Sequence, residues 1–215
     1  MKKTSSFLKF LIFLGLSFFI SQTAFAKDKL TLYCSVEIDV CEILVQAFEK
    51  ETGIDVAMTR KSSGETFAQI KAEGSNPKGD VWFGGTGDPH LTASQEGLTY
   101  EYKSIHFDDL LPAAQNQAIN GAFKTVGIYV GALGFGYNKD IIKSKGLPEP
   151  KSWADLTNPV YKGEIQVANP NSSGTAYTTL ATILQIFGEE KGWDYMKALH
   201  QNINQYTKSG SAPIK

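Results

Sequence analysis

The sequence predicts an α/β protein built on a parallel sheet. Strand and helix patterns alternate three times between Leu30 and the segment after Pro89, the order that parallel strands with crossover helices produce. Small hydroxyl residues and glycines also gather where strands hand over to helices, as in Ser62-Ser63-Gly64 and Gly84-Gly85-Thr86. The same order restarts after residue 150, so a second α/β unit is expected there.

Leu30-Thr31-Leu32-Tyr33-Cys34 alternates as the first strand. The next helix reads as N-capped by Asp39, with Glu42 completing a capping box. Val40, Ile43, Leu44, Ala47 and Phe48 fall on one stripe expected to be buried, and Gly53 closes the helix. Ile54, Val56 and Met58 alternate as a second strand; a short helix from Gly64 to Glu73 should bury Phe67 and Ile70. Asp80-Val81-Trp82-Phe83 is a third strand, and Asp88 with Pro89 caps the helix after it. Phe123 to Tyr137, interrupted by Gly127, Gly131, Gly134 and Gly136, suits a bent strand or strand pair crossing between two lobes. Ser152-Trp153-Ala154-Asp155 opens a short helix, and Glu164 to Ala168 is a strand. A long apolar helix from Thr175 to Phe187 and a further helix follow. Tyr206 to Pro213 reads as turn residues that complete no element.

Composition bounds the class. With 42% hydrophobic and 20% charged residues among 215, the chain is globular rather than disordered, collagenous or coiled-coil. Lys2 and Lys3, the apolar run Phe7 to Ile20, and Ala24-Phe25-Ala26 form a secretory signal at residues 1–26, cleaved after Ala26. The run is shorter than the ~20 apolar residues of a spanning helix. Without Lys2, Lys3 and Lys9, 18 basic residues face 22 acidic ones, a net −4 on the 189 residues left. That balance gives no electrostatic case for nucleic acid. Export permits a disulfide between Cys34 and Cys41, set against two buried free thiols.

Three turns carry the candidate chemistry. Ser62-Ser63-Gly64-Glu65, Gly84-Gly85-Thr86-Gly87-Asp88 and Asn169 to Thr175 each place small hydroxyls and glycines at a helix start. Free backbone N–H groups and the positive dipole end gather there, which suits a small anionic or polar ligand. The competing reading makes Ser62 and Asp88 plain caps, with Glu65 as Ser62's partner in a capping box. His90, His106 and His200 are scattered without metal-ligand spacing, and His90 reads as a solvated helix residue. Neither a nucleophile elbow nor a phosphate-binding glycine loop of the Walker or dinucleotide type occurs. Trp153 and Trp193 read as core or lobe-surface anchors.

The segments LTLYCSVEIDVCEILVQAFEKETGIDV, KSSGE, DVWFGGTGDPH and SWADLTNPVYKGEIQVANPNSSGTAY resemble bacterial extracellular solute-binding proteins of family 1. Within that family the chain is most similar to the ferric-iron, phosphonate and hexose-phosphate receptors of ABC importers. The resemblance implies a type II periplasmic-binding-protein fold of two α/β lobes that close on a ligand, then dock on a membrane permease. It implies a first lobe at 27–126, a hinge-crossing region at 127–138 and a partial second lobe at 139–215. Together, the turns and the resemblance place the ligand against Ser35, Glu37, Ser62, Ser63, Gly64, Gly85, Thr86, Ser172, Ser173, Gly174 and Thr175. Iron-binding members carry a His and a carboxylate where this chain has Glu37 and Gly85. A phosphorylated or phosphonate solute is therefore expected ahead of ferric iron, and a secreted hydrolase more distantly. No resident metal or cofactor is expected, and the protein should be a periplasmic monomer. Family members continue beyond Lys215, so the second lobe is expected to be incomplete, with Ile183, Leu184, Ile186 and Phe187 short of partner surface.

Overall fold

The computed structural model describes residues 28–214, so the signal sequence read at 1–26 lies outside the described residues. The first sheet has three parallel strands in the order β2-β1-β3: β1 is Lys29–Cys34, β2 Asp55–Arg60 and β3 Val81–Phe83. The central strand is the one whose Leu32, Tyr33 and Cys34 are buried. In this register Cys34 lies beside both Arg60 and Phe83, so all three strands end at one level. The turns leaving them are therefore neighbours, and this alignment positions the site.

Helices α1 (Ile38–Thr52), α2 (Ser63–Glu73) and α3 (Gly87–Gln95) follow these strands. α1 starts earlier than its sequence signals suggest. Glu37 holds the N-cap position without a side-chain cap bond, and Asp39 lies in the first turn, where it still complements the helix dipole. Likewise Thr86 occupies the N-cap of α3 and Asp88 its first turn.

The expected buried stripe of α1 is not buried. Val40, Ile43, Leu44 and Phe48 are 36–67% exposed, and Cys41, Val45 and Glu49 face the sheet instead. Two tertiary bonds set that rotation. Cys41 is disulfide-bonded to Cys34, with Cα atoms 6.4 Å apart, and the Glu49 carboxylate accepts the Val56 N–H at 2.8 Å. In α2 the buried positions are Ser63 and Thr66, whereas Phe67 and Ile70 are half-buried.

His90 is not a solvated helix residue. Its ring stacks on Trp82 of β3 at 3.7 Å between centroids, and its Nε2 pairs with the Gly84 carbonyl at 2.9 Å.

After α3 come α4 (Pro112–Asn120) and α5 (Lys139–Ser144). Residues 125–138 form neither a strand nor a strand pair; no described strand pairs with this glycine-interrupted run, and without a ladder partner its backbone stays irregular. The second sheet pairs β4 (Ile165–Ala168) in parallel with β5 (Ile203–Thr207), joined through α6 (Gly174–Phe187) and α7 (Glu189–His200). β5 takes in Tyr206 and Thr207, which the sequence placed in a turn; its exposed, polar Asn204 and Gln205 hide the strand pattern.

Leu156, Ile183, Tyr195 and Leu199 form the second core, with Trp153 and Phe187 packed against it. Ile183 is fully enclosed, contrary to the expectation that it would lack partners, because α7 folds back over α6. Leu184 and Phe187 are half-buried and Ile186 is exposed. Trp193 is exposed as well. Among the described residues, no helix is long and apolar enough to cross a membrane.

Two outcomes are expected of this fold. Alkylation under non-reducing conditions should add no mass at Cys34 or Cys41. Replacing both by Ser should cost about 2.5 kcal/mol in urea unfolding, from loop entropy alone; two labelled thiols would contradict the disulfide. The second concerns His90. Burial, opposed by the Gly84 carbonyl bond, holds its imidazole below the usual 6.5. The folded chain therefore stays neutral there while the unfolded chain takes up a proton below 6.5. That contribution to stability is complete above 6.5 and declines as pH falls through the lower folded value. The urea midpoint should drop as pH falls below about 6.5, and His90→Gln should flatten the drop.

Candidate functional site

A cleft of about 480 Å³ opens where the first sheet's strand ends face the N-terminus of α6. Four turns build it. After β1, the Ser35 N–H extends the ladder to the Phe83 carbonyl at 2.8 Å. The Ser35 hydroxyl accepts from Trp82 Nε1 at 2.9 Å and shares a 3.0 Å bond with Thr66. Glu37 follows, with its carboxylate 4.0 Å from the Arg60 guanidinium. Arg60 also donates from Nε to the Val36 carbonyl at 3.1 Å, which holds its head at the cleft wall.

The second turn precedes α2. Ser62 and Glu65 form the capping box expected from sequence, with the Ser62 N–H reaching the Glu65 carboxylate at 3.3 Å. Two further N–H groups, of Gly64 and Glu65, donate to the Ser172 carbonyl at 3.0 and 3.3 Å. Both units are thus joined by a peptide carbonyl at a helix N-terminus, where the dipole favours negative charge. A side chain at Gly64 would run into that carbonyl, 2.8 Å from where its Cβ would lie.

The third turn, Gly84-Gly85-Thr86, needs glycine: φ is +81° at Gly84 and +91° at Gly85. The Tyr129 hydroxyl bonds both backbone groups of Gly85 in this turn, accepting from its N–H at 2.7 Å and donating to its carbonyl at 3.0 Å. The fourth turn starts α6. Ser173 is its N-cap and accepts from the Ala176 N–H at 3.3 Å, while the Ser172 hydroxyl donates to the Lys208 carbonyl at 2.9 Å. Three turns meet at Gly174, where an added Cβ would collide with the hydroxyls of Thr86 and Ser63.

Ser35, Glu37, Ser62, Ser63, Gly85, Thr86, Ser173, Gly174 and Thr175 all line the cleft. Gly64 and Ser172 do not; they bond to each other at the junction of the two units. Sequence reasoning missed Arg60, Tyr129 and Thr178. Arg60 had a usable signal, since it ends a strand in register with Cys34. Tyr129 had none, because it lies in an irregular run and acts across 44 residues. The Oγ1 atoms of Thr86 and Thr178, both on cleft-lining residues, are buried without a hydrogen-bond partner.

The lining holds several donors, hydroxyls and the Arg60 guanidinium, set at helix starts beside the carboxylates of Glu37 and Asp88. Such donors suit an acceptor-rich group. His90, the histidine nearest the turns, is bonded to Gly84 rather than poised beside a serine.

Comparison with known proteins agrees with this architecture. Residues 85–213 match the bacterial extracellular solute-binding protein family. An uncharacterized protein of Haemophilus influenzae is 44% identical over 197 residues, 91% of this chain and 57% of that relative. The periplasmic binding protein AfuA of Actinobacillus pleuropneumoniae, solved with exogenous fructose-6-phosphate bound, superposes with a TM-score of 0.83 at 45% identity. That match covers 87% of this chain and 59% of AfuA. The periplasmic binding protein P5PA gives a TM-score of 0.82 at 43% identity, over 85% of this chain and 58% of that one. This chain thus spans somewhat more than half the length of the relatives it matches. By its family match and its two α/β units facing one cleft, the chain belongs to the bacterial extracellular solute-binding proteins and has the periplasmic-binding-protein fold.

Proposed function

We propose that this protein is the periplasmic receptor of an ABC importer, binding a small phosphorylated or phosphonate solute without chemically altering it. In this reading residues 27–126 form the first lobe, 127–138 cross the hinge, and 139–215 belong to the second lobe. The protein is exported by cleavage after Ala26, works as a monomer, and hands its ligand to a membrane permease.

One observation carries the proposal. Three helix starts from two separate sheets meet around Gly174, with buried, unpartnered hydroxyls at Thr86 and Thr178 beside them. Buried polar atoms are ordinarily paired, so such hydroxyls suit a ligand that supplies acceptors. A phosphoryl group supplies several, and its charge is favoured at helix N-termini and by Arg60. Glu37, opposite Arg60 at the rim, suits the hydroxyls of a sugar. The likeness to AfuA, solved with fructose-6-phosphate, supports a sugar phosphate as the ligand.

Ser173→Ala tests the assignment by calorimetry with fructose 6-phosphate. A hydrogen bond to a charged group contributes about 1.5–3 kcal/mol, so binding should weaken about ten-fold or more. Loss of the α6 cap should cost only about 1 kcal/mol of stability. Tight ferric binding with no heat from phosphate esters would favour an iron receptor instead.

A further inference from the structure

Behind the cleft, Trp82 and Thr66 both bond to the Ser35 hydroxyl, and the bonds constrain where its proton points. Trp82 Nε1 is a donor only, so at 2.9 Å it uses one Ser35 lone pair. Thr66 Oγ1, at 3.0 Å, is fully buried and Ser35 is its hydrogen-bond partner. If Ser35 donated to Thr66, the Thr66 proton would be left buried with no acceptor, which is costly. The favoured arrangement has Thr66 donating as well. Both Ser35 lone pairs are then filled, and its own proton is free to face the cleft that Ser35 lines. The Trp82 ring is itself held in place by stacking on His90 at 3.7 Å.

We infer that Trp82 is a specificity-determining positioning residue. By donating to Ser35 it makes that hydroxyl a donor toward the cleft, so this corner favours a ligand oxygen that accepts a hydrogen bond and disfavours a ligand group that must donate one. The inference rests on the phosphate-ester reading of the site and extends it to the hydrogen-bonding role of the bound oxygen.

A double-variant cycle in the whole chain tests it, with fructose 6-phosphate as probe and calorimetry as readout. Trp82→Phe keeps a ring against His90 but removes the N–H. It should weaken binding about ten-fold, as should Ser35→Ala. The double variant should bind no more weakly than Ser35→Ala alone, because Trp82 acts through Ser35. A merely structural tryptophan would weaken binding again in the Ser35→Ala background, and that result overturns the inference. So does unchanged affinity in Trp82→Phe. Should Trp82→Phe not fold, Thr66→Val reads the same chain of hydroxyls. It should weaken binding when Ser35 is present and have no further effect when Ser35 is Ala; loss in both backgrounds overturns the inference. If the unsubstituted protein gives no heat with fructose 6-phosphate, the functional reading fails and this inference falls with it. Normal binding with a failed cycle removes the inference alone.

Discussion

How closely the start of α6 can approach the first sheet decides the shape of the cleft, and the missing side chain of Gly174 sets that distance. The hydroxyls of Ser63 and Thr86 occupy the space a Cβ would need. With a methyl there, the two units would have to separate by part of an atomic diameter, and the bonds from Gly64 and Glu65 to the Ser172 carbonyl would lengthen with them. Gly64 makes the same allowance from the other side. Two glycines on facing turns therefore let helix starts from different sheets share one small volume.

Electrostatics then follows from position. Three parallel strands ending at one level put their turns, and the helix N-termini behind them, on one edge. Each N-terminus brings unpaired N–H groups and partial positive charge. Some of these are already used within the protein: Gly64 and Glu65 by Ser172, Gly85 by Tyr129, and Ala176 by the Ser173 cap. What stays directed at the cleft is a set of hydroxyls with Arg60 at its wall. Of these hydroxyls, that of Ser35 is anchored from behind by Trp82 and Thr66, on the disulfide-tied end of β1.

The sequence made the turns legible because their chemistry is local. Ser62 with Glu65, Ser173 ahead of α6, and the glycines at 84 and 85 each do a job that depends on residues two or three positions away. Parallel strands were legible for the same reason, through alternation and short length. The face of α1 was not. Periodicity finds an apolar stripe but cannot say where the core lies, and the bonds at Cys41 and Glu49 turned another face inward. β5 was hidden because pairing with β4, not its own composition, makes it a strand. Tyr129 escaped notice because its role exists only across a long sequence separation.

The central claim is that the cleft holds a phosphoryl group. Native mass spectrometry of the protein purified from its own host tests it most directly. A retained mass equal to a phosphorylated metabolite, lost in Ser173→Ala, is the predicted result. Retention of ferric iron, with no phosphorylated species at any collision energy, would contradict the account.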